Sequence, residues 1–310
     1  MKNEYLTIKG QIELLKRRGL QISDEKDFYD FLLKNNYYRI KGYTLTLREQ
    51  DVFHNDVNTD IIFDIYNADV EMRIIILLAS QIIETNTKSY FAYEFAKLTK
   101  ENSNICVSDF YLDSSNYVLT PTKYSADEDF LILKERNEKS FHDTINKINK
   151  QINAQSPYEL SLQHYAKKYD GKLPLWIYVE YMTLTDVSIL YNYLPDDVKL
   201  SICNDFNIFN PTILSKHLHC ISNLRNLCAH NYRLYNRTFK RKPTLSKKQK
   251  QMLSGNNDKL FSYLLIIKQM MNNNSYYKYI YQRIADTIKK HNRIDVKCYG
   301  FPDNWMDCLK

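Results

Sequence analysis

Glycine and proline are scarce in this chain, at 6 and 7 of 310 residues. These two residues punctuate turns, so few sites for hairpins exist and long helices are the expected element. Apolar spacing agrees. Residues 7–19 carry Ile8, Ile12 and Leu15 on one face and stop at Gly19. Residues 23–36 begin with Ser23 and Asp24 as caps and put Phe28, Phe31 and Leu32 on one face. Residues 36–43 read as a tight connection ending at Gly42. Residues 58–100 read as one long helix or two abutting ones, apolar nearly all round and therefore central to the core. The period fails over 101–126, which reads as a loop and as the boundary between a helical region 5–125 and a second region 126–310, unless the two share one core. Further helices are expected over 127–152 (mostly exposed), 156–169 (opened by Ser156 and Pro157), 173–194, 195–206, 210–236, 257–273 and 276–292. No strand pair or internal repeat is expected. The fold class predicted is all-α.

Hydrophobic residues make up 44% and charged residues 25%, values of a globular chain rather than a disordered one. The most apolar stretch, residues 72–83, is too short to span a bilayer, and the first residues lack the apolar core of a signal peptide. Six cysteines (106, 203, 220, 228, 298 and 308) form no C-x-x-C pair. That fits free thiols in a reducing cytoplasm. Net charge is +7, but its placement says more. Residues 231–257 hold eight cations (Arg233, Arg237, Lys240, Arg241, Lys242, Lys247, Lys248 and Lys250) and no acid, so +7 less +8 leaves −1 for the rest. Such a patch suits a polyanion, or is simply a solvated stretch.

The patch comes directly after "NLRNLCAHNYRLYNR", residues 223–237. On a helix, residues four apart share a face, so Asn226 and His230 lie together, with Arg225 flanking them. Leu224, Leu227 and Cys228 can anchor the other sides. Arg225, Asn226 and His230 supply what metal-free RNA cleavage needs. An imidazole titrates near neutrality and can take the proton of a 2′-hydroxyl. A guanidinium stabilises the negative charge that gathers on the attacked phosphate. The amide orients the imidazole or holds a phosphate oxygen. Spacing alone is weak evidence, and on spacing alone a plain amphipathic helix, with Arg225 facing solvent and His230 satisfying a local hydrogen bond, is the better explanation. One histidine supplies either the base or the acid, so a nuclease would need a homodimer to provide both.

The stretch "LRNLCAHNYRLYNR" resembles the Arg-x4–6-His motif of HEPN-domain ribonucleases, including the polar residue after the arginine. Residues 11–43, residues 173–194 and the closing "YGFPDNWMDCLK" look like bacterial abortive-infection proteins of the AbiD/AbiF type. The resemblance implies an all-helical HEPN-like bundle with an additional N-terminal helical half. It also implies a metal-independent, toxin-like endoribonuclease with Arg225 and His230 in the catalytic roles and Asn226 as the polar third residue. A small structured noncoding RNA acting as antitoxin is the implied partner. Leu184 and Thr185 depart from the Phe-Gly that the family favours there.

Other residues carry weaker expectations. Glu180 stands in an apolar stretch and would support Arg225 or His230, or serve only as a structural or exposed carboxylate. Lys16, Arg17 and Arg18, with Arg39 and Lys41, combine cations with nearby aromatics, as surfaces for single-stranded RNA do. Tyr37 and Tyr38 read as core. Arg233 would extend the phosphate clamp, with Arg237, Lys240, Arg241 and Lys242 beyond it. His217 and His219 lack companion ligands at suitable spacing, so no metal and no cofactor is expected. The function predicted is an RNA-cleaving enzyme of anti-phage defence, in the cytoplasm and off the membrane. Two alternatives are a non-catalytic module that holds a small noncoding RNA and a helical protein–protein adaptor.

Overall fold

The chain is all-α, as its periodicity predicts, in a computed structural model that describes residues 5–101, 109–120, 128–271 and 274–310. α1 (Ile8–Arg17) opens on Thr7, whose hydroxyl oxygen accepts from Gly10 N–H at 3.2 Å. α2 (Glu25–Asn35) opens on Asp24, which accepts from Asp27 N–H at 2.8 Å. The acids Glu25 and Asp27 in its first turn favour the positive end of the helix. Residues 37–43 are not the expected connection but a third helix, α3 (Tyr37–Tyr43). Asn36 explains it. At φ 61° it ends α2, and its side chain then accepts from Tyr38 N–H at 2.9 Å to start α3. The apolar period resets across that one residue, and Ile40 and Tyr43 become buried.

The expectation of no strand pair is also corrected. β1 (Arg48–Glu49) and β2 (Val52–Phe53) form a small antiparallel hairpin. Its turn places Gln50 at φ 45° and Asp51 at φ 74°, the left-handed pair that a two-residue hairpin loop demands, without the usual glycine. Arg18 pairs with Asp51 at 3.1 Å, and Arg48 pairs with it too, which braces the turn. α4 (Thr59–Ala96) then runs unbroken for 38 residues. Ile12, Leu15, Phe28, Leu32, Ile40, Phe53 and Ile62 close one apolar cluster. Phe31 and Phe63 meet edge to face against it, 4.8 Å between ring centres.

α5 (Leu98–Glu101) ends the first described stretch. The expected boundary over 101–126 lies partly outside the described residues. Residues 109–120 form two 3-10 turns, and Tyr111 Oη donates to the Leu173 carbonyl at 2.8 Å. α6 (Glu128–Gln155) extends so far that Ser156 N–H still donates to Ile152 O at 2.8 Å. Ser156 and Pro157 therefore finish α6 and do not open the next helix. α7 (Leu160–Lys168) starts only after Glu159.

The stretch 173–194 is broken too. α8 (Leu175–Tyr178) and a 3-10 turn (Val179–Tyr181) stop at Met182, whose ψ is 143°. Thr183 and Asp186 then form a reciprocal capping box that starts α9 (Leu184–Tyr193). α10 (Asp196–Asp205), α11 (Pro211–Ala229), α12 (Lys247–Gln251), α13 (Leu260–Met270), α14 (Tyr276–Lys290) and α15 (Trp305–Leu309) complete the chain.

Two compact units divide these elements. One runs up to Ala79 and takes in Leu224–Lys268 and Asn274–Lys310; the other holds the described residues of Ser80–Asn223 and Gln269–Asn273. The division falls inside α4, inside α11 and inside α13. No helix among the described residues is long and apolar enough to cross a membrane.

Candidate active site and basic cleft

The end of α11 carries the motif. Leu224 and Cys228 are buried there, while Arg225, Asn226 and Leu227 are half-buried and His230 is exposed. Burial pushes the Cys228 thiol up to about 12, so this side chain is an anchor and not a nucleophile. His230 N–H donates to Asn226 O at 3.0 Å, which continues the helical pattern and keeps the two residues on one face. Arg225 Nη1 donates to Asn226 Oδ1 at 3.2 Å. Among the described residues, the His230 imidazole makes no hydrogen bond.

The helix stops in a defined way. Asn231 takes the left-handed conformation at φ 58°. Its N–H donates to Cys228 O at 3.0 Å, and Tyr232 N–H reaches back to Leu227 O at 2.9 Å. That pair of bonds is a Schellman C-cap, with asparagine in the place glycine usually fills. His230 is thereby the last residue before the turn, held at its backbone and free at its ring.

A buried carboxylate fixes the segment just past this turn. Asp69 of α4 is fully buried. Its oxygens accept from Leu234 N–H and Tyr235 N–H, the latter at 2.7 Å. They also accept from Tyr43 Oη at 2.8 Å, from Tyr299 Oη at 3.0 Å and from the Arg73 guanidinium. Burial and the Asp69 charge push both phenols above their usual range, so they remain donors. One carboxylate thus ties α3, α4, the segment after His230 and the C-terminal 3-10 turn together. No sequence motif singles out Asp69. Its one signal is an acid in the largely apolar course of a long helix.

Beside this segment lies an open cleft of about 470 Å³. Arg39, Lys41, Arg233 and Arg237 line it, and no carboxylate among the described residues does. Among the described residues none of the four makes an ion pair. Arg39 Nη2 donates to the Asn231 carbonyl, which joins α3 to the turn after His230. Arg233 Nη1 donates to Tyr235 O at 2.7 Å, and Arg237 Nη1 to Arg233 O at 3.4 Å. Gly42 makes room for this arrangement, since a Cβ there would stand 3.3 Å from Arg233 Nε. Tyr37 packs partly buried against the core. Tyr38, expected in the core, is instead 83% exposed and lines the cleft, because α3 turns it away from the side that buries Ile40 and Tyr43. Tyr232 also lines it, unanticipated, 54% exposed with the Arg237 guanidinium 5.6 Å from its ring centre.

The other expected residues lie elsewhere. Lys16 pairs with Glu13 at 3.0 Å and Glu25 at 2.6 Å, Arg17 Nε donates to Glu13 O at 3.4 Å, and Arg18 is held by Asp51. Lys240, Arg241 and Lys242 are exposed; Lys242 pairs with Asp258 at 3.3 Å, and the Arg241 carbonyl accepts from Tyr263. Glu180 belongs to the second unit, exposed, with its carbonyl accepting from Lys88 Nζ at 3.3 Å. His217 is buried and His219 exposed. Among the described residues no group of three His, Cys, Asp or Glu could hold a metal ion.

A family model described as Abi-like protein matches residues 30–236. The chain is a member of that Abi-like family, and the match takes in both α3 and the whole Arg225–His230 motif. No curated protein and no solved structure matches it.

Proposed function

We propose that this protein is a HEPN-type endoribonuclease acting in abortive infection, in the cytoplasm. The observation that carries the reading is the exposed, unbonded His230 ring one residue before a cleft lined by four unpaired cations. His230 takes the 2′-hydroxyl proton, and the oxygen attacks the adjacent phosphorus. The new bond joins O2′ to phosphorus and the bond to O5′ breaks. Arg225 meets the charge on the phosphoryl oxygens, and Asn226 holds the guanidinium through their mutual bond. The leaving O5′ takes a proton from an imidazolium, supplied by His230 of a second copy in a homodimer. No metal is required for these steps, and Glu180 is given none of them.

The same cleft also favours a second reading, a module that holds a small noncoding RNA without cutting it, because unpaired cations bind phosphates in either case. Incubation with RNA in excess chelator, wild type beside His230→Ala, separates the two. Cleavage by wild type alone, with 2′,3′-cyclic phosphate ends and RNA affinity retained by the variant, is the expected result. Absence of cleavage, with Arg225→Ala and His230→Ala each weakening binding, would sink the nuclease in favour of the module.

A further inference from the structure

Positive charge in a concave site needs an anion, and among the described residues no carboxylate lines the cleft to supply it. The two exposed rings need a different explanation. Tyr38 is 83% exposed, on a helix that buries its apolar face elsewhere. Tyr232 stands across the same cleft, with Leu45, itself 49% exposed, as further apolar lining. Arg237 lies over the Tyr232 ring at 5.6 Å and over Phe239 at 5.9 Å, so Tyr232 is held in place while Tyr38 is open. Rings beside unpaired guanidinium groups fit a ligand with a flat apolar face and a phosphate.

We propose that this cleft is a base-stacking subsite for one unpaired nucleotide of an RNA strand. The base lies on the Tyr38 ring, and Lys41, Arg233 and Arg237 take the flanking phosphates. The subsite rests on the reading that the partner is RNA and adds which RNA is accepted. A base in a duplex is already stacked on its neighbours and cannot reach the ring, so the cleft selects a strand or loop with one base free. Tyr38 and Tyr232 are specificity-determining side chains and take no part in the chemistry. Gly42 borders the subsite, and a Cβ there would stand 3.3 Å from Arg233 Nε, a close contact that a small shift of the Arg233 side chain must relieve.

The test uses the full chain carrying His230→Ala, so that RNA stays intact, and measures binding of a short single-stranded oligoribonucleotide and of a blunt duplex of equal length. Adding Tyr38→Ala is expected to weaken single-strand binding between about 5-fold and 150-fold and to leave duplex binding unchanged. Tyr38→Trp is expected to restore it, which a loss of folding would not allow. An oligonucleotide with abasic positions is expected to bind the parent and Tyr38→Ala alike. Equal single-strand affinity with and without Tyr38, or equal losses for strand and duplex, would overturn the subsite. Its fate is separable from that of the nuclease. Cleavage with Tyr38-independent binding removes only the subsite, whereas Tyr38-dependent binding without cleavage keeps it and removes the nuclease.

Discussion

A single buried carboxylate organises the site at the residue scale. Asp69 has no access to solvent and satisfies five donors, two of them backbone N–H groups shortly after His230. Removing it leaves Arg73 buried without its counter-charge. Asp69→Ala should therefore cost about 3–5 kcal/mol, read as a lower midpoint in urea unfolding. Replacement of Tyr299 by phenylalanine removes one donor of several and should cost only about 1 kcal/mol in the same measurement. Equal costs for the two would show that Asp69 is not the centre of the network.

Helix ends matter most at the element scale. Asn231 sits at φ 58° to close α11. Glycine accepts that conformation without strain and valine does not. Asn231→Gly should leave thermal stability nearly unchanged, while Asn231→Val should cost about 1–2 kcal/mol. On α4, Glu71 accepts from Thr287 at 3.0 Å, from Lys290 at 2.6 Å and from His291 at 3.3 Å, which ties the end of α14 in place. Burial alone would raise this carboxyl, but the bonds from Lys290, His291 and Thr287 outweigh it and hold it below the usual range. A depressed folded value means the contribution is full above the unfolded carboxylate range and is lost as pH falls through the folded one. Stability should fall in acid, and Glu71→Gln should flatten that slope. Long helices such as α4 and α6 are legible in the sequence because their apolar period runs uninterrupted. α3 is not, since Asn36 serves two helices at once and resets the period, which also hides that Tyr38 faces outward. The break before α9 is readable in principle from the Thr183–Asp186 capping box, but the apolar run around it masks the signal.

The charge pattern acts on the scale of the whole molecule. The cluster of basic residues after the motif is plain in the sequence, yet only part of that cluster lines the cleft. The other two cations, Arg39 and Lys41, come from α3, far away along the chain. No local pattern announces such a pairing. If Lys41, Arg233 and Arg237 meet phosphates, the logarithm of RNA affinity should fall with the logarithm of salt concentration at a slope of about −2. Fluorescence anisotropy across a salt series checks it, and a flat response would mean that the cleft does not take phosphates. The Arg39–Asn231 bond spans 192 residues of chain. At ribosomal speeds that interval takes roughly 10–40 s to synthesise. For all that time the emerging polypeptide holds α3 without its counterpart. If the finished protein cuts RNA, the basic cleft beside His230 cannot assemble until the segment that follows the motif has been made.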